Sequence, residues 1–301
     1  MNIVSLLPSA TEIVCALGLG RHLVGISHDC DYPPEVLDRR VLSDAIVTTA
    51  MPSPQIDAVI REQVHQGKSV YHLDGEQLAA LRPDLILTQE LCQVCAPSFT
   101  EVRRAARVLE GWTKIVSLEP HGLDDILESI LEVGRVTGVE PAAQDLVARL
   151  RARIDRVRRL SKPDPPPRVA CLEWLDPIFA AGHWVPELVS MAGGVDGLGR
   201  ARKDSIVVGW DAVVAYAPEV IVVMPCGFDL ARTRVEIDLL TGRAGWHDVP
   251  AVRSGRVFLT DASAYFNRPG PRIVRGLEIL SDLFRAGADP LTVEGAERLG
   301  A

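Results

Sequence analysis

No stretch of this chain approaches the ~18 uninterrupted apolar residues of a membrane span, so a soluble protein is expected. Basic residues are outnumbered, 32 Lys and Arg against 40 Asp and Glu. The resulting net charge of −8, with no basic tract interleaved with aromatics, argues against nucleic acid as a partner. Cysteine is scarce, six in 301 residues, and a core of this size needs no disulfide staples, so reduced thiols are expected. No glycine-rich phosphate loop follows a strand: Gly193-Gly194 with Gly197 and Gly199 ends a helix rather than opening one, which disfavours dinucleotide binding. Nor is there a nucleophile elbow or a recognisable acid pair, so the chain is expected not to be an enzyme and to require no cofactor. The amino terminus lacks a basic n-region and a small-residue cleavage site, and Asn2 to Leu7 enters a strand at once. As written, the chain is expected in the cytoplasm; with a leader removed it would be periplasmic or a lipoprotein.

What the sequence does contain is a repeat. Leu81-Arg82-Pro83-Asp84-Leu85-Ile86-Leu87 returns in kind as Tyr216-Ala217-Pro218-Glu219-Val220-Ile221-Val222, each time a helix tail, a Pro-acid turn and a buried β run. Glu12 to Gly18 and Glu187 to Gly193 form a second pair, both short helices stopped by glycine, which accepts the left-handed position beyond a helix end. A looser match joins Ile115-Val116-Ser117-Leu118 to Val257-Phe258-Leu259-Thr260. The length suffices for two domains, because single cores stop growing near ~250 to 300 residues. Two related halves imply two lobes and a cleft.

The first half alternates strand and helix. Strands are expected at Ile3 to Leu7, Leu23 to Ser27, Ser69 to Tyr71, Leu85 to Thr88 and Lys114 to Ser117. Helices are expected at Ala10 to Leu17, Gly75 to Leu81 and Phe99 to Leu109. Short apolar runs between helical patterns mark a mostly parallel sheet covered on both faces. From Pro141 to Leu160, Leu146, Leu150, Ile154 and Val157 form one apolar stripe, and six arginines are distributed around the rest as a solvated face. Pro163 to Pro167 stops this helix. Strands at Val169 to Leu172, Val220 to Met224 and Val257 to Thr260 and a helix at Arg272 to Phe284 complete the second half. The expected fold is α/β: two Rossmann-like lobes with mostly parallel sheets, 1–120 and 166–301, joined through 121–165 by a single long α-helix acting as a stiff hinge.

In open parallel sheets, ligands bind beyond the carboxyl ends of the strands. Those ends present Pro8 to Thr11 with Ser9, His28 to Tyr32, and Gln89 to Cys92 with Glu90 in the first half. The second half presents Glu173-Trp174 through Phe179, then Trp184, Pro225 to Phe228, and Asp261 through Arg268. Four of the five tryptophans fall in the second half, an aromatic concentration that suits a large, flat, partly apolar ligand; packing in the core is the competing role for Trp174 and Phe179. Cys92-Gln93-Val94-Cys95 with Cys30 and His28 could gather metal ligands at one side of the cleft, whereas plain thiols explain the same residues. Glu76 precedes Pro83 by seven residues and Asp211 precedes Pro218 by seven, so the repeat puts one carboxylate at the same place on each lobe. Paired acids could dock a two-fold symmetric membrane partner, and helix capping accounts for either acid alone.

Ile3-Val4-Ser5-Leu6-Leu7-Pro8-Ser9-Ala10-Thr11-Glu12, Val24 to Ser27 leading to Tyr32-Pro33-Pro34, and Leu81-Arg82-Pro83-Asp84 together resemble the helical-backbone (class III) substrate-binding proteins of ABC importers. The likeness runs along nearly the whole chain and is strongest to the cobalamin-binding members, through Tyr32-Pro33-Pro34 and through Tyr265-Phe266-Asn267-Arg268 before Pro271-Arg272. The resemblance implies Tyr32, Trp174, Phe179, Tyr265, Phe266 and Arg268 around a corrinoid, and an ABC permease dimer met by Glu76 and Asp211. Two family aromatics are replaced, one by the Gln89-Glu90 region and one by Ser205. A siderophore or haem binder is the alternative, with Arg268 and Arg272 toward anionic groups. A cytoplasmic metal-dependent enzyme or metallochaperone using Cys30, Cys92, Cys95 and Glu90 is another.

Overall fold

The computed structural model describes residues 1–66, 68–89, 113–160, 162–286 and 293–300. Those residues fall into two compact units. The helix expected at 99–109 lies outside the described residues.

The first unit comprises Met1–Met51, Ala58–Pro120 and Asp124–Ala148. Its strands are β1 (Ile3–Ser5), β2 (Leu23–Ile26), β3 (Arg40–Val41), β4 (Ser43–Ala45), β5 (Tyr71–Leu73), β6 (Leu85–Thr88) and β7 (Lys114–Ser117). Five of them form a parallel sheet in the order β3-β2-β1-β6-β7, and β4 and β5 pair separately and antiparallel. Val4, Leu6, Leu42, Leu78 and Ile86 form a buried cluster, so the short apolar runs are buried strands as their pattern requires. The helix Pro8–Ala16 ends where Gly18 takes φ 77°, and the helix Val185–Ala192 ends at Gly193 with φ 96°. The paired glycines read from the sequence both sit in the left-handed region, which excludes most side chains.

The second unit comprises Pro52–Asp57, His121–Leu123 and Arg149–Ala301. Its strands are β8 (Arg168–Leu175), β9 (Ile178–Ala180), β10 (Val195–Asp196), β11 (Ile206–Val207), β12 (Val220–Val223), β13 (Val257–Thr260) and β14 (Ala296–Arg298). The order is β11-β9-β8-β12-β13-β14, with β10 also on β8. β8, β12 and β13 run parallel, while β9, β11 and β14 pair antiparallel. The second sheet is therefore mixed. Its antiparallel part begins where Asp176-Pro177 turns β8 back into β9, a turn dipeptide within what reads as a strand end.

The helix Glu140–Arg159 buries Leu146, Leu150, Ile154 and Val157 as the stripe requires, and the chain passes from the first unit to the second within it. Arg153 donates to both carboxylate oxygens of Glu278, at 2.9 and 2.8 Å. The helices Ser53–His65 and Leu123–Thr137 were not expected. The second buries Leu123, Ile126, Leu127, Ile130 and Val133.

At atomic level the repeat is one device used twice. Arg82 and Ala217 end their helices with φ 46° and 51°, both left-handed. The following acid then binds the start of the neighbouring strand. The Asn2 amide donates to Asp84 Oδ2 at 2.6 Å while the Asp84 amide donates to the Asn2 carbonyl at 2.8 Å. The Arg168 amide donates to Glu219 Oε2 at 2.9 Å while the Glu219 amide donates to the Arg168 carbonyl at 2.8 Å. Each bracket sets the register of a parallel pair, β1 with β6 and β8 with β12. Asp84→Asn and Glu219→Gln are expected to destabilise the protein by about 1 kcal/mol each, the value of an exposed charge-assisted hydrogen bond. Urea unfolding of each variant tests this, and two unchanged midpoints would remove the bracket from the account of register.

Candidate functional site

In the first unit Ser9 is buried in the helix Pro8–Ala16, and Tyr32, 43% exposed, follows β2. Cys30 is buried in a cage of hydroxyls. Its Sγ lies 3.0 Å from Thr11 Oγ1 and 3.1 Å from Ser27 Oγ, and Thr11 Oγ1 is 2.8 Å from Ser5 Oγ. His28 Nδ1 is 3.0 Å from Ser43 Oγ, and its Nε2 is 3.4 Å from Asp29. These contacts hold both side chains within the strand-end turn. Glu90, Cys92 and Cys95 lie outside the described residues, and among the described residues no group of three His, Cys, Asp or Glu is arranged to hold a metal ion.

The second unit brings several expected residues together. Trp174 and Phe179 are cross-strand partners in the β8–β9 hairpin, and both are partly exposed. Trp174 also meets the buried Phe228 ring, with centroids 5.2 Å apart, and Arg232 lies 4.3 Å over the other ring of that pair, Phe228. At the end of β12, the Cys226 amide donates to the Glu173 carbonyl at 3.0 Å and the Gly227 amide donates to Asn267 Oδ1 at 3.1 Å. The segment carrying Arg268 is thereby tied to the loop after β12. Arg268 and Tyr265 are partly exposed, and Arg272 lies 5.9 Å over the Tyr265 ring.

Trp184 and Phe266 are placed differently. They are only 6% and 1% exposed, and the Trp184 indole donates to the Phe266 carbonyl at 2.8 Å. Their rings pack inside the unit rather than presenting a free face. Trp246 belongs to the core cluster around β8, β12 and β13, with Trp210 stacked on it at 6.0 Å. Only part of the tryptophan concentration is therefore available to a ligand.

Glu173 and Ser205 are an interaction that spacing could not reveal. The Ser205 hydroxyl donates to Glu173 Oε2, and the Gly182 amide reaches Oε1 at 3.4 Å. Burial pushes the Glu173 carboxyl up to about 7 against these two hydrogen bonds, and Asp196 adds to the rise. Asp196 is itself pushed up to about 6 by burial, against the amides of Gly199 and Leu198. One of the positions where an aromatic was expected thus carries a hydroxyl that satisfies a buried acid.

Glu76 and Asp211 are exposed and stand at the second position of the helices Gly75–Leu81 and Trp210–Tyr216. The capping residues are Asp74, which accepts from the Gln77 amide at 2.9 Å, and Gly209. Side-chain capping therefore does not explain either acid, although both sit where a helix dipole favours negative charge.

Residues 3–264 match the model of a family described as periplasmic binding protein. The vitamin B12-binding protein of Vibrio cholerae serotype O1 is 26% identical over 282 residues, 92% of this chain and 86% of that protein. The uncharacterized ABC transporter substrate-binding lipoprotein YvrC of Bacillus subtilis is 25% identical over 293 residues, 93% of this chain and 79% of that one. A periplasmic haem-binding protein from Pseudomonas aeruginosa has the same fold, with TM-score 0.71 at 20% identity over 100% of this chain and 98% of the other.

Raised carboxyls have a definite consequence for stability. Glu173 and Asp196 retain protons in the folded form that the unfolded chain has released, so their contribution falls as pH rises from about 4 to 7. Glu173→Gln cannot ionise, and its melting temperature is expected to gain a few degrees on wild type between about pH 5 and 8. Thermal unfolding at both values checks the sign; a gap that does not change with pH would mean Glu173 titrates normally.

Proposed function

The chain belongs to the periplasmic binding protein family, and from that premise we propose that it captures a corrinoid or a similar metal chelate for an ABC importer. Its relatives are solute-binding proteins by name, and a substrate-binding role in the class that takes vitamin B12, haem and siderophores is the coarser part of this reading. The observation that carries the finer part is the set of partly exposed aromatics, Trp174, Phe179 and Tyr265 in the second unit and Tyr32 in the first. Each partly exposed ring leaves apolar area in water that contact with a broad, flat ligand would remove. Arg268, at the end of the segment that carries Tyr265, offers a donor to polar substituents of such a ring. Ser9 in the first unit and Trp184 and Phe266 in the second are buried and serve as packing within their own units.

A haem or siderophore reading draws on one specific feature. Arg272 over Tyr265, with Arg268 nearby in sequence, concentrates positive charge beside an aromatic, which suits carboxylate or catecholate groups. The vitamin B12-binding protein is the relative with the greater sequence identity, and we take the corrinoid as the first expectation. Thiol ligation by Cys30 is not needed for either.

Glu76 and Asp211, exposed at matched positions of the two units, are the groups we assign to the permease. Docking of this kind requires the protein to reach the outer side of the cytoplasmic membrane, where its periplasmic and lipoprotein relatives work. Among the described residues no helix is long and apolar enough to cross a membrane.

Titration with cobalamin, cobinamide, haem and ferric siderophores by absorbance and calorimetry is expected to give at least one Kd tighter than ~100 μM, a free energy beyond about −5.5 kcal/mol. Tyr265→Ala is expected to weaken that complex about tenfold, as loss of an aromatic anchor does; binding to none of the four would end the chelate reading. Reversing Glu76 and Asp211 together to arginine is expected to abolish transport in reconstituted vesicles while leaving chelate affinity intact. Normal uptake by the double variant would take these acids out of the docking surface.

A further inference from the structure

A half-buried chain of polar groups in the second unit takes no part in the proposed capture. Glu236 accepts from the Ser53 amide at 2.9 Å and from the Ser53 hydroxyl, and Arg232 donates to Glu236 Oε1 at 2.6 Å. Arg232 and Glu236 are 16% and 10% exposed, so this ion pair is largely withdrawn from water. The guanidinium lies 4.3 Å over the Phe228 ring, within cation–π range, and that ring meets Trp174 at 5.2 Å. Phe228 is 1% exposed, and in a close-packed interior such a ring moves only with its neighbours.

Each contact restricts the next. The guanidinium that meets Glu236 also lies on Phe228, and the Phe228 ring lies in turn against Trp174. Desolvated ion pairs seldom add net stability over apolar packing, so this one invites a role in holding a particular arrangement. Its other end is informative, because Ser53 opens the helix Ser53–His65, of which Pro52–Asp57 belongs to the second unit and the remainder to the first. Without Glu236 the first amide and hydroxyl of that helix lose their acceptor.

We infer that Arg232 and Glu236 are positioning residues that join the ligand-facing indole of Trp174, through Phe228, to the first turn of the helix at Ser53. The inference rests on the reading of Trp174 as a chelate contact. Occupancy beside Trp174 then steadies Phe228 and Arg232, keeps Glu236 on Ser53, and reports the bound state in Pro52–Asp57. Arg232 supplies the charge and the flat face together, which a lysine cannot do.

Hydrogen exchange of the peptide covering Pro52–Asp57 tests this first without ligand. In Glu236→Gln and in Phe228→Leu that peptide is expected to exchange roughly tenfold faster, the loss of one charge-assisted hydrogen bond, with Val257–Thr260 in the core strand unchanged. Exchange equal to wild type, or acceleration shared by Val257–Thr260, overturns the relay. Arg232→Lys keeps a charge beside Glu236 and should rescue the Ser53 contact only in part. With cobalamin or haem bound, Pro52–Asp57 of the wild type is expected to slow, and Glu236→Gln to lose that slowing while calorimetry still records binding. Slowing that survives in Glu236→Gln would sever Trp174 from Ser53. Failure of every chelate to bind removes the capture reading instead, and the ligand-free comparison still decides the relay.

Discussion

At Asp84 and again at Glu219, a carboxylate accepts the first amide of the neighbouring central strand while its own residue's amide donates back to that strand's carbonyl. A parallel pair has no hairpin to set its register, and a slip of one residue would turn every buried side chain of a strand to the wrong face. The reciprocal bracket supplies the missing reference point. It works because the residue two positions before the acid is left-handed, Arg82 or Ala217, which with the intervening proline turns the helix end sharply enough to bring the acid beside the strand start. Neither residue is glycine, so each turn carries about 1–2 kcal/mol of backbone strain that the bracket must offset. Once the registers of β1 with β6 and β8 with β12 are set, the carboxyl ends of those strands and the loops they release have defined positions. Glu76 and Asp211 inherit equivalent places from the same spacing.

From this common frame the units diverge at the strand ends. The first sheet stays parallel, and the turn after β2 closes over Cys30 and His28 with hydroxyl partners from Thr11, Ser27 and Ser43. In the second, Asp176-Pro177 folds β8 back on itself and makes Trp174 and Phe179 neighbours across a hairpin. Antiparallel pairing is what allows two large aromatics to stand side by side on one face. The contrast between Cys30 held by hydroxyls in the first unit and the Trp174–Phe179 pair in the second is thus a difference in how each unit leaves its sheet.

Much of the strand and helix order was legible because buried parallel strands are short apolar runs between helices: Leu85–Thr88, Lys114–Ser117 and Val257–Thr260 lie where their composition puts them. The stripe of Leu146, Leu150, Ile154 and Val157 was equally plain. The helix Ser53–His65 was not, since only Ser53 and Ile56 in it are buried and an exposed helix carries little periodicity. The hairpin was missed because Trp174 to Phe179 reads as a ligand loop when only the parallel part of the sheet is in view. For the candidate site, strand-end position picked out Trp174, Phe179, Tyr265 and Arg268, which are partly exposed, together with Trp184 and Phe266, which are buried, because it cannot separate an aromatic that faces outward from one that faces in. Trp184 and Phe266 differ from Tyr265 only in what lies against them, and sequence spacing is blind to that.

The distinction between those two kinds of aromatic bears on how the site is held. Trp184 donates its indole N–H to the Phe266 carbonyl, so a large buried ring pins the backbone of the segment whose next two residues are Asn267 and Arg268. Asn267 in turn accepts from the Gly227 amide, and the adjacent Cys226 amide is held by the Glu173 carbonyl. Side-chain and backbone hydrogen bonds together therefore run from the buried indole through the segment that carries Asn267 and Arg268 to the end of β8, where Trp174 stands. Binding a flat ligand with little reorganisation requires the exposed rings to be immobile before it arrives, because ordering a loop or a side chain at that moment subtracts from affinity. Trp174, whose ring lies against the buried Phe228, meets that requirement. Trp184 and Phe266, although they face inward, fix the backbone of the segment that carries Arg268.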